Sequence, residues 1–232
     1  MFNNQSQYGS MAQGFMSKVY GWMCVGLATT ASVMFYLAPE MNPAIVHKVT
    51  SNWLLLIGLF IVQFGILMYM MSSYARLSYA TMGAMFVAFC ALQGITLAPI
   101  LYVYTTASVF YVFAIAAAMF ATMAVYGTVT NADLSSMGNI LFMGLVGLMI
   151  ANLINMFMHS AGFDMVIASF GVGIFAMLTA YDVQNLKRYS QMVLSSPEES
   201  GKFALIGAIS LYLNLINIFL YLLRLFGDKR RD

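Results

Sequence analysis

Residues 163–188, FDMVIASFGVGIFAMLTAYDVQNLKR, decide the class of this protein. Most of the stretch is apolar, and a membrane-crossing helix needs about 20 predominantly apolar residues. Near its end the helix carries Asp182, and Lys187 and Arg188 close it. The chain has eight acidic residues. Glu40, Asp133, Asp164, Glu198, Glu199, Asp228 and Asp232 fall in connections or at a terminus, and Asp182 alone sits within an apolar helix. An ionised carboxylate at the bilayer centre costs about 2.5–3.5 kcal/mol on insertion scales, and less towards an interface. Asp182 is therefore a candidate functional residue. The competing reading puts it at headgroup level, paired with Lys187 or Arg188 and serving only helix packing.

The chain has 232 residues, of which 62% are hydrophobic and 8% charged. Soluble domains carry about 25% charged residues, so the composition describes a polytopic, all-α integral membrane protein. A net charge of +2 gives no reason to expect a nucleic-acid partner. Cys24 and Cys90 both fall in expected spans, too few for a disulfide framework or a metal site. The opening MFNNQSQYGSMAQG lacks a basic segment followed by a short apolar core, so it reads as a flexible polar tail over residues 1–14 rather than a cleaved signal. Residues 15–227 form the membrane domain, and 228–232 a short basic tail.

Seven stretches are long and apolar enough to cross a bilayer, which predicts a seven-transmembrane-helix bundle. They run over 15–37, 52–71, 78–102, 108–128, 136–157, 163–188 and 203–226. Pro99 is expected to kink or end the third. Asp133 is a candidate cap for the fifth helix, where Gly144, Gly147 and Ala151 offer a small-residue face for close approach. YSQMVLSSPEESGK reads as a polar loop before the last helix, on which Ser210, Asn214, Asn217 and Tyr221 recur as a polar stripe. His47 reads as a solvated loop residue, and His159 as interfacial rather than a proton relay. Basic residues divide five to five between the two sides, so charge alone does not orient the chain; the internal connections favour the N-terminus inside, and the basic C-terminal tail opposes it.

No catalytic constellation is present: there is no Gly-x-Ser-x-Gly, no His-Glu-x-x-His, no Walker loop and no pair of carboxylates within one helix. Nothing calls for a metal or a cofactor, and an enzyme is not expected. What remains is a set of intramembrane polar groups, Gln63, Gln93, Thr96, Asn152, Asn155, Asp182, Asn214 and Asn217. Polar side chains in hydrocarbon need partners and face inward. The set could line a narrow cation path with Asp182 its only fixed charge, or it could be interhelical hydrogen bonding that holds the bundle together.

The segment GVGIFAMLTAYDVQNLKR resembles the Tyr-Asp motif of the Bax inhibitor-1 family, and LYLNLINIFLYLLRLFG resembles that family's closing helix. KVYGWMCVGLATTA and ALQGITLAPI fit as well, so the likeness covers nearly the whole chain from Phe15. The resemblance implies seven helices with a cytoplasmic N-terminus, and a leak of cations, chiefly calcium, modulated by pH. In bacterial relatives it also implies control of a membrane-bound protease, or protection under stress, and it points to a bacterial inner membrane. In calcium-leak members the sixth-span aspartate, matched here by Asp182, shares a proton with a second aspartate, because like charges at short range cannot both ionise comfortably. That second position is Asn214 in this sequence, and the acidic residue that many members carry in the second span is Gln63. Arg76 matches, loosely, a basic residue that latches the path in relatives. An asparagine can hydrogen-bond Asp182 but cannot share a titrating proton. Two functions are thus expected to compete: a pH-modulated passive cation leak, and a non-conducting regulator docked on a membrane protease. A small-solute transporter ranks third.

Overall fold

The structure, a computed structural model, describes residues 2–38, 41–42, 52–192 and 196–230. Glu40, His47 and Lys48 lie outside the described residues. Among those described, every regular element is helical: α1 (Phe2–Tyr36), α2 (Trp53–Ser72), α3 (Tyr79–Leu97), the short α4 (Ile100–Val103), α5 (Thr106–Val129), a 3-10 turn (Leu134–Met137), α6 (Gly138–Met158), α7 (Ala161–Met192) and α8 (Pro197–Phe226). Seven helical segments are long and apolar enough to cross a membrane, the third being α3 continued through α4. The protein is an all-α integral membrane protein of the seven-transmembrane-helix class. Its outward faces carry large apolar side chains such as Phe64, Phe142, Met149 and Phe157, each more than half exposed, as suits surfaces solvated by lipid.

Three expectations change. Residues 2–14 were expected as a flexible tail, but the helix begins at Phe2 and runs unbroken into the first span, since nothing before Pro39 interrupts it. The long polar loop is largely helical as well. α7 continues to Met192, and α8 starts at Pro197. The sequence there is a helix-start signal: Ser196 accepts the Glu199 N–H at 3.2 Å, Pro197 occupies the first helical position, and Glu198 and Glu199 fill the first turn. The small face of α6 does not close uniformly on α7. A side chain at Gly144 would meet Ile174 at 3.0 Å, whereas one at Gly147 would meet nothing within 4 Å. Phe163 and Phe170 on α7 line the space left there.

The chain divides into two compact units, described separately: the described residues of Met1–Thr105, Ser190–Ile209 and Lys229–Asp232, and those of Thr106–Tyr189 and Ser210–Asp228. In the first unit α1 packs on α3. Trp22 meets the edges of Tyr79 and Phe86, and its indole N–H donates to the Tyr79 hydroxyl at 2.8 Å. The buried Thr30 donates to the Cys90 carbonyl at 2.9 Å, and Gly94 lets the two helix backbones approach there, since a Cβ would lie 2.7 Å from the Thr30 carbonyl. Pro99 ends α3 at Leu97, and one further turn, α4, follows it. In the second unit α5 approaches α7 at Gly127, where a Cβ would lie 2.3 Å from the Ala180 carbonyl of α7. Of the seven spans α8 is the most deeply buried, with 67% of its apolar window buried against 39% or less elsewhere. A polar stripe on such a helix has to find partners inside the protein.

Candidate functional site

Asp182 lies on α7 one helical turn past Leu178, in a run with no proline or charge from Met165 to Tyr181 that keeps the helix regular. Its Oδ2 accepts two bonds from α8: the Ser210 hydroxyl at 2.5 Å and the Asn214 amide at 2.8 Å. Ser210 and Asn214 stand four residues apart, so one face of α8 presents both donors to one carboxylate oxygen. Oδ1 accepts no side-chain hydrogen bond among the described residues. Asn214 is only 5% exposed, so removing the carboxylate would strand its amide.

The basic residues that close α7 go elsewhere. Lys187 donates to the Thr128 carbonyl at 2.8 Å, capping the C-terminus of α5, and Arg188 pairs with Asp133 at 2.7 Å. Asp182 is therefore not paired with either of them. Asp133 caps the 3-10 turn that leads into α6, as expected, by accepting the Ser135 N–H at 3.0 Å. The Ser135 hydroxyl, the Ser135 N–H and the Arg188 guanidinium together hold the Asp133 carboxyl well below the usual carboxylate range.

The other expected polar residues do not join Asp182. Asn217 donates back to its own helix at the Leu213 carbonyl, 2.8 Å. Asn152 and Asn155 lie at the far end of the second unit. Asn152 accepts from Arg224 at 2.8 Å and donates to the Tyr221 hydroxyl at 3.3 Å, while Asn155 donates to Asp164 at 3.4 Å. Asp164 precedes Asp182 by 18 residues, about 27 Å along α7. Gln63 is buried in the first unit and donates to Thr96 at 3.1 Å. Gln93 is half-buried on α3. Arg76 is exposed in the turn between α2 and α3 and makes no ion pair among the described residues. His159 ends α6 in a left-handed conformation (φ 51°) and is exposed, as an interfacial residue would be.

Two residues with clear roles were not singled out from sequence. Ser210 stood in the polar stripe, and its spacing from Asn214 was the available signal. Gln184 left none. It is 7% exposed, accepts the Leu134 N–H at 2.9 Å and donates to the Ala132 carbonyl at 2.8 Å, pinning the connection between α5 and α6 to α7. Gln184→Leu keeps the bulk and strands both backbone groups, at about 1–3 kcal/mol for a buried unsatisfied group. A lowered thermal midpoint in detergent is expected, and an unchanged midpoint would show that the clamp contributes nothing.

A carboxylate on one spanning helix, bonded twice to the last of seven such helices, gives a polytopic membrane protein with a polar contact between two of its spans. A profile of the family described as "Inhibitor of apoptosis-promoting Bax1" matches residues 12–231. The inner membrane protein YbhL of Escherichia coli is 39% identical over 219 residues, covering 94% of this chain and 93% of that one. A protein of Borreliella burgdorferi is 39% identical over 218 residues, with the same shares covered. One of Deinococcus radiodurans is 39% identical over 217 residues, covering 93% and 90%. The chain belongs to the Bax inhibitor-1 family. Neither the family description nor these names denotes an enzyme.

Proposed function

We propose that the protein is a passive cation leak pathway, with calcium its foremost candidate ion, whose conductance responds to pH through Asp182. It works in a bacterial inner membrane with its N-terminus in the cytoplasm; the inner-membrane relative and the family resemblance support this setting. The observation that carries the reading is the convergence of Ser210 and Asn214 on one oxygen of Asp182. As a carboxylate, Asp182 accepts two charge-assisted bonds and ties α7 to α8; charge-assisted bonds are roughly twice as strong as neutral ones. Protonation weakens that tie, so acid loosens the contact between two transmembrane helices. The tie contains one carboxylate where the family's shared-proton arrangement has two, so its pH response is a single titration.

The test is ion flux from liposomes containing the purified chain, measured for wild type and Asp182→Asn across acid and neutral pH. Absence of flux at every pH would overturn the leak reading and favour the rival, a regulator that docks on a membrane protease. Asp133 serves as an internal control. Its carboxyl is held below the usual range, so its contribution is present above its unfolded-state value of about 3.9 and is lost only as pH falls through the still lower folded value. Asp133→Asn is therefore expected to leave the pH profile of flux between about pH 5.5 and pH 8 in place. A shifted profile would move the sensor from Asp182 to the end of α7.

A further inference from the structure

We infer, on the footing of the proposed leak, that α7 and α8 are fastened a second time at the far end of their seam. The fastening is a clasp of Arg224 on Asp164 and Asn152, which salt loosens and which limits the leak independently of Asp182. The two helices run antiparallel, and their contacts follow one register. Asp182 meets Ser210 and Asn214. Phe175 stacks on the Tyr221 ring with centroids 5.9 Å apart, and a Cβ at Gly171 would lie 2.6 Å from the same ring. Asp164 then lies 3.5 Å from Arg224. Each step towards the start of α7 is matched by a step towards the end of α8. Along α7 the two fastenings are 18 residues, about 27 Å, apart.

Asp164 stands in the first turn of α7 and Arg224 in the last turn of α8, so each charge also complements the dipole of its own helix. Arg224 Nη1 donates to Asn152 Oδ1 at 2.8 Å and faces Asp164 Oδ1, while the guanidinium lies 5.3 Å over the Tyr221 ring. The Tyr221 hydroxyl accepts the Asn152 amide at 3.3 Å, and Asn155 donates to Asp164 at 3.4 Å. α6 thus adds two amides to the pair, and three helix ends meet around one guanidinium. Tyr221 is buried beneath it, wedged on Gly171. The side chains of Arg224 and Asp164 are 41% and 40% exposed. Dissolved ions reach such a pair and screen it, whereas Asn214 at the Asp182 tie is buried. The two fastenings therefore answer to different variables, the clasp to ionic strength and the tie to the charge on Asp182.

The experiment measures ion flux from liposomes for wild type, Asp164→Asn, Arg224→Gln and the double variant, with salt equal on both sides and raised from about 0.1 M to about 1 M. Each single variant should raise leak about two- to fivefold at low salt, the size that a half-exposed ion pair supports. Each should keep the pH dependence that Asp182→Asn removes. Salt should bring wild-type leak up towards that of the variants and leave the variants unchanged. The double variant should leak no more than either single one, because one interaction is lost only once. Additive effects, a salt response shared equally by wild type and variants, or loss of the pH dependence in either single variant would overturn the clasp. If no chain passes ions, the leak reading fails by itself, and thermal midpoints in detergent still read the clasp. Salt should then lower the wild-type midpoint towards that of Arg224→Gln, and equal salt sensitivity of the two chains would overturn it.

Discussion

Asp182→Asn is expected to raise cation leak at neutral pH to the level that wild type reaches in acid, and to remove the pH dependence. Asparagine is nearly isosteric with aspartate, so the contact between α7 and α8 keeps its shape. The Ser210 and Asn214 donors then meet a neutral amide oxygen in place of a carboxylate. Hydrogen bonds to charged groups contribute about 1.5–3 kcal/mol and neutral ones about 1. Weakening two bonds at once shifts an open–closed equilibrium by on the order of tenfold or more. Calcium and potassium fluxes from liposomes, followed between about pH 5.5 and pH 8, read this directly. Wild type should steepen towards acid and the variant should stay high and flat. Indistinguishable fluxes from the two chains would sink the gate. A variant leak below wild type at every pH would make the carboxylate an ion-binding group rather than a tie. Asn214→Asp adds a second carboxylate beside the first, and two coupled titrations should broaden or split the response.

The spans were legible because hydropathy over 20 residues reports solvation, which the bilayer imposes on every helix alike. Partners within the protein were much less legible. Periodicity puts Ser210, Asn214 and Asn217 on one polar stripe of α8, yet only the first two reach Asp182, and Asn217 turns back to Leu213. Nothing in the spacing distinguishes them, because the choice depends on which part of α7 crosses that face. The destinations of Lys187 and Arg188 were hidden for the same reason, since their partners Thr128 and Asp133 lie 59 and 55 residues away. The start of α8 is a different case. Ser196, Pro197 and Glu199 form a local cap signal that was present in the sequence and was overridden there by the polarity of the stretch.

Glycines show the same limit, and they carry the largest expected effect on stability. Gly127 and Gly147 both sit in apolar helices, in AVYGTV and GLVGLM, and look equivalent in sequence. At Gly127 an added Cβ would lie 2.3 Å from the Ala180 carbonyl, a backbone atom that cannot rotate away. α5 and α7 would have to separate, two turns from the Arg188 and Lys187 ties and within one turn of Asp182. Overpacking typically costs about 1–3 kcal/mol and sometimes more, and here the obstacle is main chain rather than a flexible side chain. Gly127→Ala should therefore lower the thermal midpoint in detergent by about 5–10 °C, on the scale of about 2–4 °C per kcal/mol for a chain of this size, or prevent folding. Gly147→Ala meets open space and gains helix propensity of up to about 1 kcal/mol, so its midpoint should hold or rise. Equal midpoints for the two variants would mean that α5 and α7 do not approach as closely at Gly127 as the structure has them. Asp182, two residues on and about 200° round α7, faces α8 rather than α5, so its tie to Ser210 and Asn214 does not hinge on that contact.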